Sequence, residues 1–166
     1  LNYRTKRALG RLAYTAPVLA TLADGPRSFD AQIDGQSFEA SWVIITNASR
    51  YGGSFRLTNE TRVGADGLIA VVVEARSRLQ LASASISLGL GRLIDPETRP
   101  RQVRVMPCRH ARLGFTSTVA AEIDGDASGS TPLEVHTGGP VVRLIVPAGY
   151  VACSTNRHAN RLLSGL

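Results

Sequence analysis

The sequence predicts a mainly β (α+β) domain, a β-sandwich or distorted barrel of about nine or ten strands with two helices packed alongside. Three observations predict it. Short Val/Ile/Leu runs recur with a period of two, 16 glycines punctuate them, and only two segments carry apolar residues at helical spacing.

The first helical segment is Thr5 to Ala23. Leu9, Leu12, Ala13, Ala16, Leu19, Ala20 and Ala23 recur at helical spacings, and Lys6, Arg7 and Arg11 lie on the other side. Pro17 kinks or splits it, because an interior proline removes a backbone donor, and Asp24-Gly25-Pro26 ends it. From Ser28 the period becomes two: Phe29, Ala31 and Ile33 alternate, and Asp34-Gly35 turns. Phe38 to Thr46 follows as a single strand, with Trp42 to Ile45 apolar on both faces and therefore central in its sheet. That strand delivers Asn47 to a loop containing Tyr51, Gly52 and Gly53, where paired glycines allow a backbone or ligand to approach closely. A plain Gly-Gly turn is the simpler reading, since no GxGxxG or GxxxxGK pattern is present.

Phe55 and Leu57 form a short strand, and Asp66-Gly67 turns into the β-branched run Leu68 to Glu74, typical of a buried strand. Asp66 is a candidate cation ligand, although a lone carboxylate beside glycine is usually turn chemistry. Ser77 caps a second helix, Arg78 to Leu90, whose apolar stripe reads Leu79, Ala82, Ile86 and Leu90. Gly91 closes it. Arg101 to Met106 is a strand with Val103 and Val105 inward, Leu113 to Thr118 another, and Val119 to Ile123 a half-buried third. The third runs into Asp124-Gly125-Asp126. A carboxylate at a strand end is held still, as a general base requires, yet Asp-Gly is also a favoured hairpin pair. Ile33-Asp34-Gly35 reads almost identically and is taken as only a turn. Leu133 to His136 and Val141 to Val146 are two further strands, 147–153 is extended, and 154–166 is a tail. One domain spans residues 1–153.

Composition limits the functions open to it. No apolar run approaches the roughly 20 residues of a membrane-spanning helix. The net charge of +6 and pI of about 10.1 favour an anionic partner, including an anionic membrane surface. Aromatics are 5% and are not interleaved with arginines, which disfavours nucleic acid. Cys108 and Cys153 lack CxxC spacing and fit a reducing cytoplasm. His110, His136 and His158 have no partner at a recognisable spacing and read as structural or surface residues.

The order Leu9-Gly-Arg-Leu-Ala-Tyr14, Ile45-Thr46-Asn47, Tyr51-Gly52-Gly53, Asp66-Gly67-Leu68, helix, Ile123-Asp124-Gly125-Asp126 and Val146-Pro147 resembles the carboxy-terminal domain of the diacylglycerol kinase-like lipid kinases. That group holds the bacterial diacylglycerol kinases, the phosphatidylglycerol-kinase-like proteins and the sphingosine kinases. The resemblance implies a β-rich second domain of an ATP-dependent lipid kinase, working with an amino-terminal nucleotide domain whose Gly-Gly-Asp-Gly-Thr signature does not occur here. It implies Asp124 as the base for a lipid hydroxyl and Asp126, in place of the usual Glu, beside the magnesium nucleotide. Asn47, Tyr51, Gly52 and Gly53 would contact substrate, and Asp66 would hold a structural Mg²⁺. A homodimer and peripheral contact with the membrane are also implied, and the fragment alone would be inactive. Ala65 and Ala70 replace frequent acidic residues, Ser54 a glycine, and Thr58-Asn59-Glu60-Thr61 a Pro-x-Ala. The alternatives are a non-catalytic lipid-binding module, a domain like that of the NAD kinases, and a basic nucleic-acid-binding β-barrel.

Overall fold

The computed structural model describes residues 24–51, 55–58 and 67–139. The helix expected over 5–23, the strand at 141–146, the tail, and Gly52, Gly53 and Asp66 lie outside the described residues.

Eleven strands and one helix are present among them: β1 Phe29–Ile33, β2 Gln36–Ala40, β3 Trp42–Thr46, β4 Arg50–Tyr51, β5 Phe55–Arg56, β6 Leu68–Val73, α1 Arg78–Gly89, β7 Val103–Cys108, β8 His110–Leu113, β9 Ala120–Ile123, β10 Asp126–Ser130 and β11 Leu133–His136. A four-stranded sheet has the order β11-β8-β1-β2, and a three-stranded sheet the order β3-β6-β7. The pairs β9-β10 and β4-β5 each stand as a separate two-stranded ladder.

The two main sheets and α1 make three layers, with β6 in the middle. Its alternate residues explain its unbroken apolar sequence. Ala70 and Val72 join Phe29, Ala31, Ile33, Cys108, Ala111 and Leu113 in the core between the sheets. Val71 and Val73 join Ile44, Leu57, Leu81, Ala84 and Leu88 in the core beneath the helix. A strand buried on both faces has no polar position to spare.

Four expectations are corrected. Residues 38–46 are two strands in different sheets, broken at Ser41. Its N–H and hydroxyl both donate to the Val73 carbonyl (2.7 and 3.0 Å), and its Oγ accepts from the Ala75 N–H, so the bend replaces a ladder contact with side-chain bonds. The run Trp42 to Ile45 is not central: β3 is an edge of its sheet among the described residues, and Ile44 is its one buried side chain. Leu113 ends β8, and 114–119 is a connection without strand structure.

The fourth concerns α1. Ser77 caps it as expected, accepting from the Gln80 N–H at 3.3 Å. Its end is a Schellman arrangement, with Gly91 N–H on the Leu88 carbonyl and Arg92 N–H on that of Ser87, and Gly91 takes φ 69°. The buried side, however, is Leu81, Ala84, Ser87 and Leu88, while Leu79, Ile86 and Leu90 are 83%, 60% and 61% exposed. Helical spacing offered two apolar stripes, and packing chose the one containing the small Ala84, which lets the helix approach the sheet.

Candidate functional site: the Asp124 hairpin

Ile123-Asp124-Gly125-Asp126 forms the tip of the β9-β10 hairpin. Asp124 has φ 52° and Gly125 φ 90°, the two consecutive left-handed residues that a type I′ turn demands and that Asp-Gly supplies cheaply. Asp126 opens β10 opposite Ile123. The expectation of a half-buried strand here is corrected: Ile123 is 57% exposed, Ala121 and Gly125 are half-buried, and every residue of β10 is exposed. The hairpin stands off both sheets, which is why its residues show no clean alternation.

A bare two-stranded ribbon is marginal in water, so its direction must be set at its base. Thr131 sets it. Buried, it accepts the Val119 N–H on Oγ1 at 2.9 Å and donates that hydroxyl to the Ser117 carbonyl at 3.0 Å, while its own N–H bonds the Val119 carbonyl. Gly114 makes room for it, since a Cβ there would meet Thr131 Oγ1 at 2.2 Å. One residue further, the Asp30 carboxylate of β1 accepts the Phe115 N–H (3.1 Å), the Thr116 N–H (2.8 Å) and the Thr116 hydroxyl (2.5 Å). Those bonds, the Thr116 hydroxyl foremost, hold the Asp30 pKa below the usual carboxylate range. Arg112 stacks over the Phe115 ring at 4.4 Å. Sequence reasoning missed Asp30, Gly114 and Thr131, because their partners lie 12 to 86 residues away.

The Ile33-Asp34-Gly35 turn is an internal control. Its φ angles, 46° and 85°, match those of the Asp124 turn. Yet the Asp34 carboxylate accepts the backbone N–H groups of Arg109 (3.0 and 3.1 Å) and His110 (2.7 Å), so it is a tie across the four-stranded sheet and more than a turn. The exposed Asp124 carboxylate has no such partner among the described residues. Identical local chemistry is thus structural at one place and open at the other.

The remaining expected residues are not gathered here. Asn47 is an exposed residue just after β3, and Tyr51 closes β4 opposite Phe55. His110 pairs with Glu134 at 2.7 Å on the outer face of the four-stranded sheet, and His136 is exposed, as surface residues should be. Cys108 is a buried thiol whose pKa burial pushes up to about 11, with the Asp34 charge adding to it. Among the described residues, no three His, Cys, Asp or Glu side chains cluster to hold a metal, and no helix is long and apolar enough to cross a membrane.

Comparison with known proteins gives one family. The model described as the YegS C-terminal NAD kinase beta sandwich-like domain matches residues 2–146. A solved structure from Bacillus anthracis str. Sterne, assigned as a diacylglycerol kinase, is 20% identical over 70% of this chain and 41% of its own, with a TM-score of 0.52. A second so assigned from the same organism is 16% identical over 81% and 45%, with a TM-score of 0.57. A diacylglycerol kinase structure from that organism is 18% identical over 80% and 45%, with a TM-score of 0.55. The chain therefore spans under half the length of each, and at these identities the likeness is one of fold. No curated protein matches it.

Proposed function

Because the chain belongs to the YegS C-terminal NAD kinase beta sandwich-like domain family, we propose that it is the second domain of an ATP-dependent lipid kinase acting on diacylglycerol or a related lipid alcohol. A nucleotide-binding domain, joined to it, would face the Asp124 hairpin across a cleft. The observation that carries this reading is the contrast between the two Asp-Gly turns: Asp34 is spent on two backbone N–H groups, while Asp124 is presented outward on a ribbon aimed from its base.

In this reading Asp124 takes the proton of the lipid hydroxyl as that oxygen bonds to the γ-phosphorus, and the bond from that phosphorus to the departing ADP oxygen breaks. Phosphoryl transfer asks the protein chiefly for position and charge neutralisation, so one well-placed carboxylate with a second beside it is a sufficient set. Bound Mg²⁺ and ATP would supply the phosphoryl group and shield its charge. Asp126 would lend an oxygen to that ion, its side chain one methylene shorter than the Glu of relatives. By the resemblance alone, Asn47, Tyr51, Gly52 and Gly53 would contact the lipid, while Ala65 and Ala70, standing where relatives carry acidic residues, leave Asp66 a poorer ligand set for a structural Mg²⁺.

The test is Asp124→Asn in a protein that joins this domain to a nucleotide-binding domain, assayed for ATP-dependent phosphorylation of diacylglycerol. The expected result is a loss of about 10²-fold or more in kcat with folding intact. Undiminished turnover would leave a lipid-binding module without a catalytic carboxylate, and turnover by the present chain alone would also contradict the proposal.

A further inference from the structure

Two histidines face each other on the outer side of the four-stranded sheet. His110 opens β8, His136 ends β11, and the register pairs them directly. The backbone decides which kind of pair they form. His110 turns both its main-chain groups toward Asp34, its N–H donating to the carboxylate at 2.7 Å and its carbonyl accepting the Asp34 N–H at 2.9 Å. One residue further, the Thr137 N–H donates to the Arg109 carbonyl at 2.8 Å. The histidines are therefore a non-hydrogen-bonded pair, the closer of the two antiparallel kinds, with Cα atoms about 4.5 Å apart and both side chains on one face. Both are exposed.

Their acceptors sort the ring nitrogens. A carboxylate only accepts, so in the neutral ring the 2.7 Å contact is a bond from His110 Nε2–H to Glu134 Oε1, and Nδ1 keeps the lone pair. Arg112 Nε, 3.9 Å from the same oxygen, is a weaker second hold on Glu134. His136 Nδ1 meets the Thr137 carbonyl at 3.4 Å, which leaves Nε2 its lone pair and the ring loosely held. A histidine that donates one N–H to a carboxylate and offers its other nitrogen is the usual form of a metal-ligating imidazole.

We propose that His110 Nδ1 and His136 Nε2 bind a divalent transition ion of the Zn²⁺, Ni²⁺ or Cu²⁺ kind, as a tie between β8 and β11. Glu134 orients His110, and water fills the remaining positions. As the rings stand, the three groups do not converge as a ligand cluster. His136 therefore turns to another χ1 rotamer on binding, a fast step for an exposed side chain. A zinc ion about 2.1 Å from each nitrogen needs them about 3.4 Å apart at a tetrahedral angle, which suits β-carbons about 5 Å apart. Imidazole prefers these ions to Mg²⁺, which takes oxygen ligands. The tie falls on an edge strand among the described residues, only four residues long, that begins two residues after Thr131 at the base of the Asp124 hairpin. It needs neither Asp124 nor turnover.

The experiment is calorimetric titration of the metal-free 166-residue chain with Zn²⁺. One ion per chain is expected, and Mg²⁺ in excess should not displace it. Glu134→Gln should weaken binding about 10- to 100-fold, and His110→Ala or His136→Ala at least as much, with circular dichroism unchanged because all three side chains are exposed. His158→Ala should leave the affinity as it is. Zn²⁺ should also raise the melting temperature and slow amide exchange over Leu133–His136 in the parent, and do neither in His136→Ala. Absence of binding overturns the proposal. So does binding that either alanine substitution at His110 or His136 leaves unchanged, binding that His158→Ala removes, or binding without slower exchange in β11, which would mark an adventitious ion only.

Discussion

Thr131→Val removes the hydroxyl that fixes the base of the Asp124 hairpin while keeping the side-chain volume. Two bonds go with it: the Val119 N–H loses its acceptor at 2.9 Å, and the Ser117 carbonyl loses a donor at 3.0 Å. Both groups are half-buried, so water replaces the lost partners incompletely, and each costs about 1 kcal/mol. The sum, about 2 kcal/mol, lowers the melting temperature of a domain this size by about 4 to 8 °C. Differential scanning calorimetry reads that number. Hydrogen exchange reads its location, because amides from Val119 to Ser130 should lose protection while those of β1, β6 and β8 keep theirs. Thr131→Ser, which retains the hydroxyl, should recover most of both. Under the proposed function, in a protein with the nucleotide-binding domain, Thr131→Val should lower kcat while leaving the KM for ATP nearly unchanged, since it would displace Asp124 and not the nucleotide site. A melting temperature within about 1 °C of the parent, together with unchanged exchange in the hairpin, would refute the view that Thr131 aims it.

Three more outcomes follow from the same geometry. Gly114→Ala should be far worse than Gly125→Ala, by thermal melts: the first combines φ 64° with a Cβ 2.2 Å from Thr131 Oγ1 and costs about 3 kcal/mol or more, the second has φ 90° in open space and costs about 1 kcal/mol. Leu88→Ala, beneath the helix, should cost about 2 to 5 kcal/mol and Leu79→Ala under about 0.5 kcal/mol in denaturant titrations, because only the first empties a core position. Asp30 has a folded pKa below its unfolded value, so its contribution is fully present above the unfolded pKa and is lost as pH falls through the folded one. The stability gap between the parent and Asp30→Asn should accordingly close in strongly acidic solution, and a gap that persisted there would contradict the assignment.

The fold class was legible because alternation is a local property. Phe29, Ala31 and Ile33 point inward as their spacing requires, and Leu68 to Val73 is buried on both faces as its unbroken apolar run requires. What failed was everything decided by a neighbour. Ser41 reads as an ordinary polar residue within a strand, and only Val73 on the adjacent sheet turns it into the point where the chain changes sheets. Leu79, Ile86 and Leu90 are spaced like a core stripe, but Leu81, Ala84 and Leu88 are spaced as well, and periodicity has no means to rank two opposed faces. The choice belongs to the sheet beneath, whose surface admits Ala84 closely.

The site poses the same problem in a sharper form. Ile33-Asp34-Gly35 and Ile123-Asp124-Gly125 share residues, turn type and nearly the same backbone angles, so no local signal separates a structural carboxylate from an available one. The separation comes from where β8 lies. The bend at Arg109 and the first residue of β8 place the Arg109 and His110 N–H groups against Asp34, and those bonds hold that carboxylate in a fixed role. After Leu113 the chain leaves the sheet and is pinned by Asp30 and Thr131, and the Asp124 carboxylate at the tip of β9 and β10 meets no such pair of amides among the described residues. A carboxylate without a partner among the described residues, at the end of an anchored ribbon, is more than turn chemistry requires, since the ribbon buries little and must be held from its base. The expenditure of Asp30, Gly114 and Thr131 on that base is itself the reason to expect a task at the tip.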